Sequence, residues 1–372
     1  MSGELMQELS AKKMAIAVIG LGYTGLPLAL ALAEYFWVIG YDIDPSKLEA
    51  LERGDGLPED FKTHPYRKNL EFIKDPSLLT KAGFFIVAVP TPVDEQKNPD
   101  LELLAIAMRT VGGVLEKGNG VVVESTVYPG CTEEFCIPIL EQASGLRVHD
   151  DFWVGYSPER INPGDTLHHV RNVVKLIAGT STQAIEALQF VYSKVVAAGL
   201  HQCASIKVAE AAKMTENIQR DVNISLLNEL SAVYEKLGID PSQVWEAAAT
   251  KWNFLPFRPG LAGGHCISVD PYYLLHRARI AQIELKLVAT ARLVNEEIVE
   301  RVATKAVGHL LEIEVTLKEA RVLVMGVSFK GNLGDIRNSK ILEVVKLLKD
   351  QGVQVDIEDP LVNDAQLIKE YG

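Results

Sequence analysis

Apolar positions fall into short continuous runs early in the chain and into helically spaced series from its middle onward. Residues 14–19, Met-Ala-Ile-Ala-Val-Ile, form an unbroken run, as a strand buried on both faces requires. A glycine-rich turn and an apolar helix through Leu32 follow, then a second run at 37–41 that ends in Asp42. Further strands are predicted at 84–89 and 120–124, separated by helical stretches around 76–81 and 101–115, and another strand-like run precedes Tyr156. After residues 195–199 strand alternation gives way to helix. Residues 205–237 carry apolar side chains at helical spacing with no proline or glycine inside, a helix suited to linking two domains or pairing subunits. Gly238 ends it, and Asp240-Pro241 opens another helix with a cap and a first-turn proline. A helical region at 284–311 leads into an apolar run at 321–325, a helix at 341–349 and a run at 353–357 that again ends in acid, Asp359.

Strands alternating with helices predict an α/β fold with a parallel sheet. The pattern divides into an N-terminal Rossmann-like domain over 1–200, a central long-helix domain over 201–310 and a Rossmann-like C-terminal domain over 311–372. Two strands cannot bury both faces of a sheet, so the last domain is expected to be incomplete at Gly372. No short-period repeat is present, only a loose echo between the two ends.

Composition narrows the class. A chain of 372 residues exceeds one ordinary core. Hydrophobic content of 48% with 23% charged residues excludes a disordered or fibrous protein. The first eleven residues lack the apolar core of a signal peptide, and no apolar run is long enough to span a bilayer, so a cytoplasmic protein without a membrane partner is expected. A net charge of −12 argues against nucleic acid as a partner. Cys131, Cys136, Cys203 and Cys266 have neither zinc-site nor CxxC spacing, so neither a metal nor a disulfide framework is expected. His168 and His169 are adjacent, point apart on a helix or a strand, and are expected at the surface.

Chemistry enters at Gly20-Leu21-Gly22-Tyr23-Thr24-Gly25. This is GxGxxG between a strand and a helix, with Asp42 20 residues beyond Gly22, the spacing a carboxylate needs to reach the ribose hydroxyls of a dinucleotide. Asp42 also repels a 2′-phosphate, so NAD is expected over NADP. In an open parallel sheet ligands gather at the carboxyl ends of strands, which places the loops holding Pro90-Thr91, Ser125-Thr126 and Ser157-Pro158-Glu159-Arg160 around the cofactor. Farther on, Gly260-Leu261-Ala262-Gly263-Gly264-His265-Cys266 sets a thiol behind three glycines, with Asp270 four residues later. A helix starting just after the glycines would put Cys266 at its N-terminal end, where unpaired N–H groups favour thiolate, and Asp270 one turn on. The alternative is a turn carrying a buried, inert cysteine. Lys213 and Asn217 stand at i and i+4 on the predicted long helix and share a face.

These residues carry a resemblance that is collinear over nearly the whole chain: GLGYTGLPLA at Gly20, VPTP at Val89, ESTVYPG at Glu124, SPERINPG at Ser157, KVAEAAKMTEN at Lys207, KWNFLPFRPGLAGGHCISVDPYYL at Lys251 and GVSFKGNLGDIRNSK at Gly326. The chain resembles the UDP-glucose/GDP-mannose dehydrogenase family, and within it the UDP-N-acetylhexosamine 6-dehydrogenases of polysaccharide biosynthesis. The resemblance implies oxidation of the sugar's C6 alcohol to a carboxylate with two NAD, through a thiohemiacetal and a thioester on Cys266. It implies Lys213 and Asn217 as stabilisers of oxyanion charge, Asp270 as the group that activates water or sets the state of Cys266, and Thr126 and Glu159 as holders of a water and the sugar. It adds Tyr23 and Thr24 to the NAD site, and Arg160, Phe254, Gly263, Lys330 and Arg337 to the UDP-sugar site. Arg258 is expected to reach the sugar of a neighbouring subunit in a homodimer or larger homo-oligomer.

Departures from the family pattern matter as well. Arg160 follows Glu159 and Pro163 takes a later position, a pattern similar to the N-acetylhexosamine group rather than the UDP-glucose enzymes. Gly331-Asn332-Leu333-Gly334 replaces a more acidic or cysteine-containing loop, which alters the expected uridine contacts, and the short last domain is expected to weaken UDP affinity. Within the family a UDP-glucose or UDP-N-acetylmannosamine substrate is the alternative. Outside it stand a single-step NAD dehydrogenase and a non-catalytic nucleotide-sugar-binding protein. The C2 and C4 stereochemistry of the sugar is written in no motif.

Overall fold

Every residue of β1 (Ala15–Ile19) is buried, because the strand feeds two cores at once. Ile16 and Val18 pack with Leu28, Leu32 and Leu188 on one face of the sheet; Ala15, Ala17 and Ile19 pack with Met108, Val111 and Leu140 on the other. The computed structural model describes the whole chain except Met1, residues 162–164, Thr166 and Gly372, together with the side chains of Ser2, Asp60, Asp364, Gln366, Lys369 and Glu370. The position of Pro163 therefore lies outside the described residues.

The chain divides into two compact units, Met1–Lys213 and Met214–Gly372. In the first, β1 joins β2 (Val38–Tyr41), β3 (Leu70–Ile73), β4 (Ala82–Val87), β5 (Gly120–Val123), β6 (Trp153–Tyr156), β7 (Lys175–Gly179) and β8 (Leu200–Gln202) in one sheet of order β3-β2-β1-β4-β5-β6-β7-β8. Pairing is parallel from β3 through β6, turns antiparallel at β7, and is parallel again between β7 and β8. The order reverses between β1 and β4, and in such sheets the crevice beyond the strand ends at that reversal receives the ligand. The segment before β1, unassigned in the pattern, is a helix, Ser2–Ser10, that buries Leu5 and Leu9 one turn apart.

The long helix is Ile206–Lys236, and its residues through Lys213 belong to the first unit. In the second unit Asp240 caps the helix Pro241–Ala249 through the Ser242 N–H, as its Asp-Pro start predicts. Helices Asp270–Ile280 and Lys286–Glu312 follow, then β9 (Arg321–Met325), helix Lys340–Asp350 and β10 (Gln354–Glu358), which pairs parallel with β9. The helix Lys340–Asp350 covers one face of this two-stranded sheet through Val344 and Leu348, while Leu323 and Met325 are exposed.

The echo between the two ends is geometric. Gly20 N–H donates to Tyr41 O and Leu21 N–H to the Asp42 carboxylate, at 2.8 and 2.9 Å. Gly326 N–H donates to Glu358 O and Val327 N–H to the Asp359 carboxylate, both at 2.8 Å. In both places an acid ending the second strand ties down the loop that leaves the first.

Candidate active site

The glycine turn expected to cradle a dinucleotide lies in the first unit. A Cβ on Gly25 would lie 1.8 Å from Gly20 O, so only glycine lets the helix Gly25–Ala33 pack this close to the strand loop. A Cβ on Gly22 would meet nothing within 4 Å, so the backbone there faces open space. Tyr23 is exposed beside it, and the Thr24 side chain makes no cap bond at the helix start. Asp42, 8% exposed, accepts from Leu21 N–H and from Lys47 Nζ at 2.8 Å. Open space over a glycine turn, a helix N-terminus and a carboxylate at the end of the next strand fit NAD. The neighbouring loops are stitched together: Ser125 Oγ donates to Val89 O and Thr91 Oγ1 to Thr126 O, each at 2.7 Å, with Pro90 exposed between.

Lys213 is 7% exposed and its ammonium donates to the backbone carbonyl of Glu159 at 2.7 Å. The Glu159 carboxylate turns back on its own loop and accepts from Arg160 and Ile161 N–H, both at 2.6 Å. Arg160 Nη1 reaches Val174 O at 2.7 Å. Two carboxylates in this unit went unnoticed in the pattern. Glu124 is fully buried; burial pushes its pKa up, Lys175 Nζ at 3.1 Å offsets this, and the Tyr192 hydroxyl donates to it as well. Glu210, one turn before Lys213, accepts from Gly130 N–H at 2.5 Å and Thr132 N–H at 2.9 Å. Burial raises its pKa to about 7 despite these donors. In the sequence they stand only as acids inside the segments ESTVYPG and KVAEAAKMTEN.

In the second unit Cys266 is exposed, whereas Cys131, Cys136 and Cys203 are buried. The reading of Cys266 as a buried packing residue therefore fails. The helix starts at Asp270, four residues later than expected. Pro271 has no N–H to give to Ile267, so a helix begun at Cys266 would lose a bond. Instead the Cys266 carbonyl accepts from Val269 and Asp270 N–H, at 3.2 and 2.9 Å, in a turn leading into the helix. Asp270 is buried, and Asn217 Nδ2 donates to its carboxylate.

The loop bearing Cys266 is pinned at several points. Asn228 on the long helix holds Gly260 by both backbone groups, at 2.8 and 3.0 Å. Gly264 N–H donates to Asn338 O at 3.1 Å, and Ser268 Oγ donates to Gly264 O. Gly264 has φ +89°, and a Cβ there would press 2.6 Å from the Phe329 ring; a Cβ on Gly263 would lie 2.7 Å from Asn338 O. His265 Nε2 lies 2.9 Å from Asp335 Oδ2. Burial raises the Asp335 pKa, but His265 and Arg337 outweigh it and hold the carboxyl well below the usual range. An ionised carboxylate only accepts, so His265 carries its proton on Nε2.

Other expected sugar-site residues are placed as follows. Arg337 grips Asp335 with Nε and Nη2 at 3.0 and 2.8 Å, so the fork expected on a diphosphate rests on a carboxylate. Lys330 is half-buried, and its carbonyl accepts from Ser328 Oγ at 3.1 Å. Phe254 is half-buried. Arg258 is exposed and lines a cavity of about 550 Å³ with Asn228, Trp245 and Arg301. His168 is exposed and pairs with Asp165 at 2.7 Å. Among the described residues no cluster of three or more His, Cys, Asp or Glu could hold a metal, and no helix is long and apolar enough to cross a membrane.

Known proteins match this chain over most of its length. Family models of the UDP-glucose/GDP-mannose dehydrogenase family match residues 14–196 as the NAD binding domain, 207–297 as the central domain and 323–372 as the UDP binding domain. The chain is 45% identical to UDP-N-acetyl-D-glucosamine 6-dehydrogenase of Pseudomonas aeruginosa, over 97% of this chain and 86% of that one. It is 43% identical to the enzyme of the same name from Salmonella typhi, over 97% and 85%. The structure of UDP-D-ManNAc dehydrogenase from Pyrococcus horikoshii superposes with a TM-score of 0.87 at 32% identity, covering 94% of this chain and 84% of that one. With the dinucleotide cradle, the pinned cysteine loop and all three domain models in register, this chain belongs to the UDP-glucose/GDP-mannose dehydrogenase family and is an NAD-dependent dehydrogenase.

Proposed function

We propose that the chain oxidises C6 of a UDP-N-acetylhexosamine to the uronate, a precursor of surface polysaccharide, with Cys266 as the covalent anchor. The observation that carries this reading is the exposure of Cys266 alone among four cysteines, on a loop fixed by backbone and side-chain bonds. The N-acetylglucosamine relatives, at 45% and 43% identity against 32% for a mannosamine relative, favour UDP-N-acetylglucosamine as the first substrate to try. NAD, when bound by Gly20, Gly22, Gly25 and Asp42, supplies hydride acceptance, two equivalents for each sugar.

The chain's own groups do the rest. Cys266 thiolate adds to the aldehyde carbon and holds it as a thiohemiacetal, and after the second oxidation as a thioester. Lys213 supplies positive charge for the oxygen that becomes an alkoxide. Asp270 takes a proton from the water that hydrolyses the thioester, and the Asn217 amide orients it. Thr126 and Glu159 hold the water and the sugar, with Arg160, Phe254, Gly263, Arg258, Lys330 and Arg337 along the substrate. The long helix, with Leu226 and Val233 half-exposed, pairs two copies into a homodimer. The reaction takes place in the cytoplasm, where NAD and UDP-sugars are held.

Cys266→Ser tests the assignment. The variant keeps shape and loses thiolate, so NADH should fall from two per sugar to about one, with aldehyde released or an adduct retained on the serine. Intact mass after a single turnover reads the adduct directly. Two NADH and uronate at the unmodified rate would show that Cys266 takes no part in the oxidation and end this reading.

A further inference from the structure

We propose that Asp335 is a positioning residue that couples the nucleotide end of the substrate to the cysteine loop, so that occupancy near Arg337 sets the reactivity of Cys266. This rests on the reading of Cys266 as nucleophile and on the match of residues 323–372 to a UDP binding domain. Asp335 is 2% exposed, and its Oδ2 is shared by two donors, Arg337 Nη2 at 2.8 Å and His265 Nε2 at 2.9 Å. His265 immediately precedes Cys266 in the chain. Arg337 is exposed, and two of its donors already grip the carboxylate.

A carboxylate oxygen has a limited share of charge to give, and two charge-assisted donors on it compete. A diphosphate carries more negative charge and more acceptor oxygens than one carboxylate shared between two donors, so it competes for the guanidinium fork. When Arg337 turns to the phosphate, the charge of Asp335 falls on His265, and the His265 end of the loop tightens. The loop has little freedom to absorb the change elsewhere. Gly264 is bonded to Asn338 and closed over by Phe329, whose ring stands edge-on to His265 at 5.5 Å. The change therefore reaches the next residue, the thiol.

Alkylation reads this without turnover. Cys266 is exposed and the other three cysteines are buried, so iodoacetamide labelling of the Cys266 peptide, followed by mass spectrometry with and without saturating UDP, isolates one thiol. UDP ends at its β-phosphate and lacks the hexose that would cover the sulfur. In the unmodified protein UDP should change the labelling rate about fivefold or more. In His265→Gln, and in Asp335→Asn if it folds, the ratio should fall to about one while UDP still binds by calorimetry. A UDP-bound protein whose labelling rate is unchanged, or a His265→Gln variant that keeps the full ratio, would overturn the coupling. The proposed function fails differently: if no UDP-sugar yields NADH while UDP still alters labelling, the activity is wrong and the coupling stands.

Discussion

Asn217 donates its side-chain amide to the carboxylate of Asp270, joining the long helix to the first residue of the helix that follows the cysteine turn. Helical spacing pairs Asn217 with Lys213; the folded chain gives its amide to Asp270. Asn217→Ala removes a hydrogen bond to a charged group, worth about 1.5–3 kcal/mol. If that bond orients Asp270 for hydrolysis, the final step should slow by roughly ten- to a hundredfold. Rapid-quench measurement should then show the acyl-enzyme accumulating after two NADH have formed. Loss of the first NADH in equal measure would place Asn217 earlier in the reaction.

The glycines of the cradle make a matched pair of tests. Gly25→Ala drives a Cβ to 1.8 Å from the Gly20 carbonyl, so helix and strand must separate; the melting temperature should drop by several degrees or the protein should fail to fold. Gly22→Ala meets nothing in the protein, so its melting temperature should match the parent while NAD affinity falls, because the methyl occupies ligand space. Calorimetry that finds undiminished NAD binding in Gly22→Ala would move the dinucleotide away from this turn.

Cofactor preference should turn on Asp42. Asp42→Asn keeps an acceptor for the Leu21 N–H but removes the negative charge that holds Lys47 at 2.8 Å. Lys47 is then released toward a 2′-phosphate, and the preference in kcat/KM for NAD over NADP should narrow by about tenfold or more, the value of roughly 1.4 kcal/mol. Equal use of both cofactors by the unmodified enzyme would sink the assignment.

Glu210 should leave a mark on stability against pH. Its pKa rises from an ordinary 4.5 to about 7 on folding, so between those values the folded state binds more protons than the unfolded one. Its contribution is fully present below about pH 4.5 and is lost as pH rises through 7, by up to roughly 3 kcal/mol. Glu210→Gln is neutral throughout, so urea titrations should show the parent losing stability against the variant from pH 5 to pH 8. Parallel profiles would show that the carboxyl is not titrating there.

The sequence by itself determined the α/β class, the dinucleotide turn and its acid, the long helix, and the family. Those features are written in local order: a run of β-branched residues, glycines at fixed offsets and an unbroken helical period act within a few residues or at a constant distance along the chain. The echo between Gly20–Asp42 and Gly326–Asp359 was legible for the same reason, since each acid directly follows the strand beside the loop it binds. Tertiary structure decided what those residues touch. The start of the cysteine helix moved to Asp270 because Pro271 has no N–H to give to Ile267, and the Cys266 carbonyl is taken up in the turn before it. His265 went to Asp335 across 70 positions, and Glu210 to the N–H groups of Gly130 and Thr132 about 80 positions away. No period or spacing encodes such partners. A buried charge takes whichever donor the packed chain brings within hydrogen-bond reach, and only the whole fold fixes which one that is.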